Sequence, residues 1–206
     1  MSEEQNVLEI PPLVTMGDPR LAQRSAEVPV EEITSPAFQL RIETLVAAMH
    51  NYLGIGIAAP QIGWYERFFL TTVTAKGEDG NPQMQLQCWI NPQVVSASDE
   101  LSWAWEGCLS VPGLRGWVRR PAAVAVRGYN QRGEAVSREF TGWDARVFQH
   151  EYDHLDGMLY PYRLIDRRHL VTLEALERRS DWPADWPAAG ARDAQMGICL
   201  PDSRSP

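Results

Sequence analysis

The segment TGWDARVFQHEYDHLDG, residues 141–157, decides how the rest of the chain is interpreted. Its apolar residues recur at the spacing of an α-helix, at Ala145, Phe148, Tyr152 and Leu155. Thr141 and Asp144 have the spacing of a capping pair at a helix start, with Asp in place of the usual Glu. Gly157 is a typical residue for a helix end. We therefore predict a helix that begins near Thr141 and stops at Gly157.

Two histidines on this predicted helix indicate a metal site. His150 and His154 are four residues apart, so their imidazoles lie on one helix face and can bind one metal ion. Glu151 lies about 100° round the helix, where it can reach a water molecule beside the metal. A metal lowers the pKa of such a water, and a carboxylate can take and return its protons. The pattern predicts a metal-dependent hydrolase, although so short a pattern also occurs by chance on solvated helices.

A catalytic metal of this kind needs one more protein ligand and an open position. The metzincin pattern requires a His six residues after the second His, and Tyr160 stands there, so this pattern is excluded. A gluzincin uses a Glu about twenty residues downstream, and Glu174 occupies that place. An upstream cysteine, Cys108, is the other candidate. Glu174 and Cys108 both remain open on these grounds alone.

Cys108 lies in the segment EGCLS, residues 106–110, between a predicted strand and the turn residues 111–113. Gly107 would let the backbone approach a ligand closely, and a nearby cation would favour the thiolate that binds metal. A lone cysteine is, however, more often a small buried apolar group. The segment by itself is weak evidence for a ligand.

A second glycine-containing segment is GIGIAAPQ, residues 54–61. It lacks the strand-to-helix context of a dinucleotide fingerprint and the Gly-Lys-Ser/Thr of a Walker loop. Small residues followed by Gln61 favour close packing of backbone on a ligand, with the amide donating to an oxygen. The alternative is a tight helix-to-strand connection with a surface glutamine.

The remaining pattern alternates between helical and strand-like stretches. An amphipathic helix should start after the N-cap Ser35 and end before Gly54, and a charged helix should span residues 164–179. Short periodicity predicts strands over residues 67–74, 85–90, 93–98, 102–105, 123–129 and 135–140. From Ser180 the chain should form an irregular or disordered tail, although its two tryptophans could pack on the body.

Composition excludes several classes of protein. The chain has 206 residues, of which 44% are hydrophobic and 22% charged, as in globular domains. A net charge of −8 argues against nucleic-acid binding, and no apolar run is long enough to span a membrane. The acidic N-terminus does not resemble a secretory or transit peptide, so a cytoplasmic location is expected. Three cysteines without C-x-x-C spacing fit a reducing compartment.

The three motifs together resemble those of the peptide deformylase family, G-x-G-x-A-A-x-Q, E-G-C-x-S and H-E-x-D-H. All three are complete here and in that order, at residues 54–61, 106–110 and 150–154. The similarity covers roughly residues 13–165. It implies an α+β fold in which mainly antiparallel sheets pack around the helix that carries the histidines, with an N-terminal helix. We accordingly expect one catalytic domain over residues 1–165, and a C-terminal helix and irregular, acidic, proline-rich tail over residues 166–206.

The resemblance also implies roles for individual residues. The metal would be bound by Cys108, His150 and His154, and Glu151 would be the general acid and base. The oxyanion would be stabilised by Gln61 and the backbone N–H of Leu109. The substrate would be the formyl-methionine end of a nascent polypeptide, released as formate and a free amine. Its expected contacts are Ile55, Gly56, Gly107, Arg115, Trp143 and Val147, with Arg115 at the rim of the methionine pocket.

Further expectations concern the surroundings of the site. Asp153 should anchor the helix or orient a ligand, and Glu106 could pair with Arg119 or Arg120 for the same purpose. Trp143 and Arg146 make the pocket region bulkier and more polar than an aliphatic lining. The preference beyond methionine is therefore open.

The metal itself is suggested only by the family, which points to Fe(II). Zn(II), Ni(II) and Co(II) suit the same donor set. Ribosome proximity would follow from a nascent-chain substrate, but the tail lacks a basic helix for docking on ribosomal RNA, and neither DNA nor a membrane is an expected partner. A third class is a closed structural site of Cys88, Cys108, His150 and His154, in which Glu151 and Gln61 would have no function.

Overall fold

The computed structural model describes residues 9–76 and 81–194. Three α-helices are present in these ranges: α1 (Pro36–Asn51), α2 (Gly142–Leu155) and α3 (Leu173–Glu177). Eight strands accompany them: β1 (Gly56–Ala58), β2 (Phe68–Lys76), β3 (Pro82–Ala97), β4 (Leu101–Cys108), β5 (Val111–Pro121), β6 (Ala123–Tyr129), β7 (Ala135–Thr141) and β8 (Leu170–Thr172). None of the described helices combines the length and apolar character needed to cross a membrane.

The strands form two antiparallel sheets. One contains five strands in the order β1-β2-β3-β6-β7, and the other contains three in the order β4-β5-β8. The α+β class and the antiparallel pairing expected from the sequence are therefore confirmed.

The five-stranded sheet lies between α1 and α2, because alternate residues of a strand point to opposite faces. Phe68 and Leu70 of β2 belong to a buried cluster with the apolar face of α1. Phe69, between them, belongs to a second cluster with Ala145 and Phe148 of α2. This packing holds the histidine-bearing helix against one face of the sheet.

The start of α1 follows the sequence prediction, and the start of α2 does not. The hydroxyl of Ser35 accepts a hydrogen bond from the backbone N–H of Phe38 at 3.2 Å, as expected of an N-cap. Thr141 occupies the N-cap position of α2 but makes no side-chain cap hydrogen bond, so the predicted capping pair with Asp144 is wrong. Helix α2 is held instead by burial on all sides over residues 145–151, which are all buried.

Strand boundaries show two further differences. The two predicted strands at residues 85–90 and 93–98 are one strand, β3, with an irregularity in register near Asn91. Asn91 has a positive φ of 49°, and its side chain bonds the backbone N–H and carbonyl of Val28 at 2.8 and 2.7 Å. Asn91 thus has turn-like backbone angles, and its side chain supplies hydrogen bonds that a regular strand would make through its backbone. Strand β3 can therefore continue through this residue.

Three strands were not predicted. The turn expected at residues 111–113 is the beginning of β5, and residues 56–58, interpreted as loop, form the short edge strand β1. The helix predicted over residues 164–179 is reduced to α3, and residues 170–172 within it form β8. Strand β8 pairs with Leu114, Arg115 and Gly116 of β5, a contact between distant segments that local periodicity does not reveal.

Residues 180–194 are irregular, as predicted, but they pack on the three-stranded sheet. The Trp182 ring lies 6.1 Å from that of Trp105, and the Trp105 indole N–H donates to the carbonyl of Ala191 at 2.7 Å. Both Trp105 and Ala191 are fully buried. The rest of the predicted tail, residues 195–206, lies outside the described residues, and the division of the chain at residue 165 stays a prediction.

We expect Trp105→Phe to lower the free energy of unfolding by about 2 kcal/mol, because the Ala191 carbonyl loses a buried donor. Urea denaturation followed by fluorescence measures this change. Trp117→Phe is the matched control, since Trp117 is also buried in β5 but its indole nitrogen donates no hydrogen bond within the described ranges. Equal losses in the two variants would contradict the role assigned to the Ala191 bond.

Candidate metal centre

Three of the predicted ligands meet at one point. Cys108 is the last residue of β4, and His150 and His154 lie one turn apart on α2. Their ligand atoms all lie within 4.8 Å of one another, and Sγ of Cys108 is 3.3 Å from Nε2 of His154. All three residues are buried. A thiol and two imidazoles at this spacing form a donor set that suits a single divalent metal ion.

A glycine beside the cysteine permits this arrangement. Strands β4 and β5 change register between Glu106 and Cys108. A Cβ on Gly107 would lie 2.7 Å from the guanidinium carbon of Arg115, so a larger residue cannot fit without displacing that side chain. Arg115 is itself buried, 2% exposed, and donates to the carbonyl of Leu114 at 2.8 Å. Arg115 therefore packs against the backbone of the cysteine segment, and its place at the rim of a methionine pocket stays a prediction.

His150 is oriented by a buried carboxylate. Its Nδ1 lies 2.9 Å from Oε2 of Glu106, which leaves Nε2 as the ligand atom. Arg120 binds both oxygens of Glu106, at 2.7 and 2.9 Å, as the sequence had suggested for one of two arginines. Burial opposes ionisation of Glu106, but the charge and hydrogen bonds of Arg120 outweigh it and hold the pKa of Glu106 well below its usual value.

The same arginine reaches the helix a second time. Nη1 of Arg120 donates to Asp153 at 2.8 Å, and Nε of Arg163 donates to the same carboxylate at 2.6 Å. Asp153 thus anchors α2 to β5 and to the segment after the helix, which agrees with the role expected for it. Arg163 was not anticipated, because nothing in its neighbouring residues indicates a partner ten positions away.

Glu151 is enclosed next to the ligands. It is 3% exposed, and its Oε2 has no hydrogen-bond partner among the described residues. Burial raises the pKa of the Glu151 carboxyl to about 7, against the opposing charges of His150 and Arg120. A Cβ on Gly56 would lie 2.5 Å from Oε1 of Glu151, so this close approach also depends on a glycine.

Gln61 is not a surface residue, so the alternative interpretation of its segment is wrong. It is 1% exposed, and its Oε1 accepts a hydrogen bond from the Ala58 N–H at 2.9 Å. This bond directs Nε2 towards Sγ of Cys108 at 3.4 Å and the hydroxyl of Ser110 at 3.2 Å. The amide donor is therefore fixed beside the predicted metal ligand.

A small cavity opens at this centre. Gly54 lines it, together with most of the predicted site residues: Ile55, Gly56, Gln61, Gly107, Cys108, Leu109, His150 and Glu151. Trp143 and Val147 do not line it: Trp143 is 37% exposed in the first turn of α2, and Val147 is fully buried. Their contact with a substrate stays a prediction.

The other proposed ligands lie elsewhere. The side chain of Glu174 is 74% exposed and forms an ion pair with Arg178 on the surface of α3. Cys88 packs in the apolar cluster between β3 and α1, where burial raises the pKa of its thiol to about 12. Neither residue belongs to the ligand group, so the gluzincin and the four-ligand structural site are both wrong.

Comparison with known proteins gives a consistent result. A family model described as polypeptide deformylase matches residues 10–169. Peptide deformylase 1 of Bordetella pertussis is 38% identical over 84% of this chain and 98% of its own. Chloroplastic peptide deformylase 1A of Solanum lycopersicum is 38% identical over 95% of this chain and 71% of its own. The Met-Ala-Ser-bound class I type b peptide deformylase of Acinetobacter baumannii matches with a TM-score of 0.70 and 31% identity, over 76% of this chain and 99% of its own.

The enclosure of Glu151 predicts a pH-dependent stability in protein freed of metal by a chelator. The pKa of the Glu151 carboxyl is about 7 in the folded chain and ordinarily 4.5. Below pH 4.5 the folded and the unfolded chain both hold the proton, so Glu151 does not lower the free energy of unfolding there. Between pH 4.5 and 7 the unfolded chain ionises this carboxyl while the folded chain keeps its proton, so the folded state loses stability over this window and the loss is complete above pH 7. We expect Glu151→Gln to match the wild type near pH ~4 and to be more stable by roughly 3 kcal/mol near pH ~8.

Urea denaturation at several pH values measures the difference between Glu151→Gln and the wild type. Other titrating groups contribute equally to both proteins and cancel in the difference. A difference that does not change with pH would show that Glu151 is not held in a desolvated site.

Proposed function

The chain belongs to the polypeptide deformylase family, and we propose that the centre formed by Cys108, His150 and His154 carries out the family's hydrolysis. The protein is a metal-dependent hydrolase that removes the formyl group from N-terminal formyl-methionine and releases formate. The observation that supports this site most directly is the meeting of three ligand atoms beside a cavity that Cys108, His150, Glu151 and Gln61 line.

The residues present fit one divalent metal ion. Nδ1 of His150 donates a hydrogen bond to Glu106, so Nε2 of His150 is available for a metal ion. Cys108 provides a sulfur within the same group of three ligand residues. When bound, the ion would polarise the formyl carbonyl and lower the pKa of a water molecule. We propose Fe(II) as the physiological ion, with Zn(II), Ni(II) and Co(II) able to occupy the same donor set.

Glu151 would move the protons of the reaction. Glu151 lines the small cavity and its Oε2 has no hydrogen-bond partner among the described residues, so the carboxylate is placed to accept a proton from water and return it to the leaving amine. The absence of a side chain at Gly56 leaves the space that Oε1 of Glu151 occupies. Glu151 is thus placed as the general base and then the general acid.

Gln61 and Leu109 would stabilise the oxyanion that forms when the formyl carbon becomes tetrahedral. The Ala58 N–H holds Oε1 of Gln61, so the amide nitrogen is fixed beside Sγ of Cys108, at the cavity that Gln61 and Leu109 both line. A donor fixed before the reaction needs no reorganisation as charge develops on the oxygen.

The rest of the substrate would lie extended across the cavity. The backbone of Gly56 and Gly107 would pair with it in the manner of an added strand, with Ile55 against the methionine side chain. Trp143 and Val147 would form the outer wall of the methionine pocket, and Arg115, which packs against Gly107, would lie at its rim. A nascent-chain substrate places the work of the enzyme near ribosomes, in the cytoplasm.

We expect Cys108→Ala to lose both bound metal and formate release from a formyl-Met-Ala-Ser peptide. Glu151→Gln should keep its metal and lose turnover by at least ~100-fold, because only the proton transfer is removed. Glu174→Ala, a surface change, should keep both. Metal content by atomic emission and formate by a coupled assay, on anaerobically purified protein, measure the two quantities separately.

The contrary pattern would be decisive. Metal and activity lost in Glu174→Ala but kept in Cys108→Ala would contradict the proposed ligand set. Full metal occupancy without formate release in the wild type would contradict the proposed reaction.

We expect Gly56→Ala to lower kcat/KM for the same peptide by about 100-fold, because the new methyl group displaces the Glu151 carboxylate. Metal content should be unchanged. Gly128→Ala in β6 is the control, since its Cβ would also be crowded, 3.0 Å from the carbonyl oxygen of Ile90, but outside the cavity lining. This control should lose stability and keep its kcat/KM, and an equal loss of kcat/KM in both variants would contradict the proposed contact.

A further inference from the structure

Arg146 lies on α2 four residues before His150, so the two side chains share one helix face, a turn apart. Its buried guanidinium makes four hydrogen bonds. Nη1 donates to Oε1 of Glu106 at 2.6 Å and to the carbonyl of Val118 at 3.1 Å. Nη2 donates to the carbonyl and hydroxyl of Ser102 at 2.8 and 3.0 Å. Arg146 therefore connects the ligand-bearing helix to both β4 and β5.

The two oxygens of Glu106 have different partners. Oε1 accepts from Nε of Arg120 at 2.7 Å and from Arg146. Oε2 accepts from Nη2 of Arg120 at 2.9 Å and faces Nδ1 of His150 at 2.9 Å. Arg120 spans both oxygens and aligns the carboxylate with its own guanidinium, but it belongs to β5, whereas the second contact on Oε1 comes from α2, the helix that carries His150. Arg146 provides a second fixed point on Oε1, and Oε2 is then directed at His150.

We propose that Arg146 is a positioning residue for the metal site: by holding Oε1 of Glu106 from α2 and the two strands, it sets the orientation of His150. It does not line the cavity and is not one of the ligand residues. Its effect on the metal therefore passes through Glu106 and His150. This inference rests on the proposed metal site.

This role requires the two terminal nitrogens of the Arg146 guanidinium, which bind different partners. Nη1 reaches Glu106 while Nη2 reaches Ser102, so the side chain spans two elements at once. A lysine has the same charge but a single terminal nitrogen, and it cannot make both sets of bonds. Charge and geometry can therefore be separated by substitution.

The test uses the full chain loaded with Co(II), whose visible absorption reports the geometry of its ligands. We expect Arg146→Gln to shift that absorption and to speed the release of Co(II) to a chelator by roughly 10- to 100-fold. The value of kcat should fall while KM changes less than about twofold, because the substrate contacts remain. Arg146→Lys should resemble Arg146→Gln more closely than the wild type.

The matched control is Arg67→Gln. Arg67 is equally buried and is bonded to the end of α2 at Asp156, at 2.7 Å, but it does not contact Glu106. A merely structural role would lower the unfolding temperature of both variants and leave both spectra and release rates unchanged. Wild-type absorption and release in Arg146→Gln, or full restoration by Arg146→Lys, would overturn the proposal.

Two further measurements keep the result unambiguous. If Arg146→Gln does not fold, Ser102→Ala removes only the hydroxyl partner of Nη2 and should speed release severalfold, and an unchanged rate would count against the proposal. A wild-type chain that binds no Co(II), or Cys108→Ala that still binds it, would contradict the metal site itself rather than the role of Arg146.

Discussion

The buried carboxylate of Glu106 is the group on which the rest of the site depends. An isolated carboxylate in an apolar interior is strongly unfavourable, and it is tolerated only when charged partners and hydrogen bonds satisfy it. Glu106 is fully buried and has Arg120 and Arg146 as its cationic partners. Because those partners belong to β5 and α2, satisfying one charge also fixes the three-stranded sheet against the helix that bears His150. The same bonds therefore maintain the fold and orient a ligand.

Close approach is the second physical requirement, and glycine meets it twice. Gly107 allows the cysteine segment to lie on the Arg115 guanidinium, and Gly56 allows β1 to lie on Glu151. Each contact excludes water from a charged group, and the raised pKa of Glu151 follows directly from that exclusion. The carboxyl that we propose for proton transfer is thus positioned by neighbours that contribute no side chain of their own.

The sequence predicted the centre far better than its surroundings. The four-residue spacing of His150 and His154 is enough to place them on one helix face, whatever else the chain forms. The Ser35 cap likewise depends only on neighbouring residues. Pro112 and Gly113 are typical of turns, but β5 runs through them because Val111 and Gly116, on either side, pair with β4. The start of α2 was misjudged for a related reason: Thr141 ends β7, paired with Ala123, and makes no side-chain cap bond.

The C-terminal segment shows why such tertiary effects matter to the site. Trp105 and Trp117 face each other across β4 and β5, on the face opposite Glu106, with ring centroids 5.3 Å apart. The large apolar surface of two indoles is stable only when it is buried away from water. Leu176 and Ala191, in residues 173–191, pack on the two rings and bury them. The family match ends at residue 169, so this cover comes from sequence beyond the matched region. The strands that carry Cys108 and Arg120 are therefore held by a charged network on one face and by an added aromatic layer on the other.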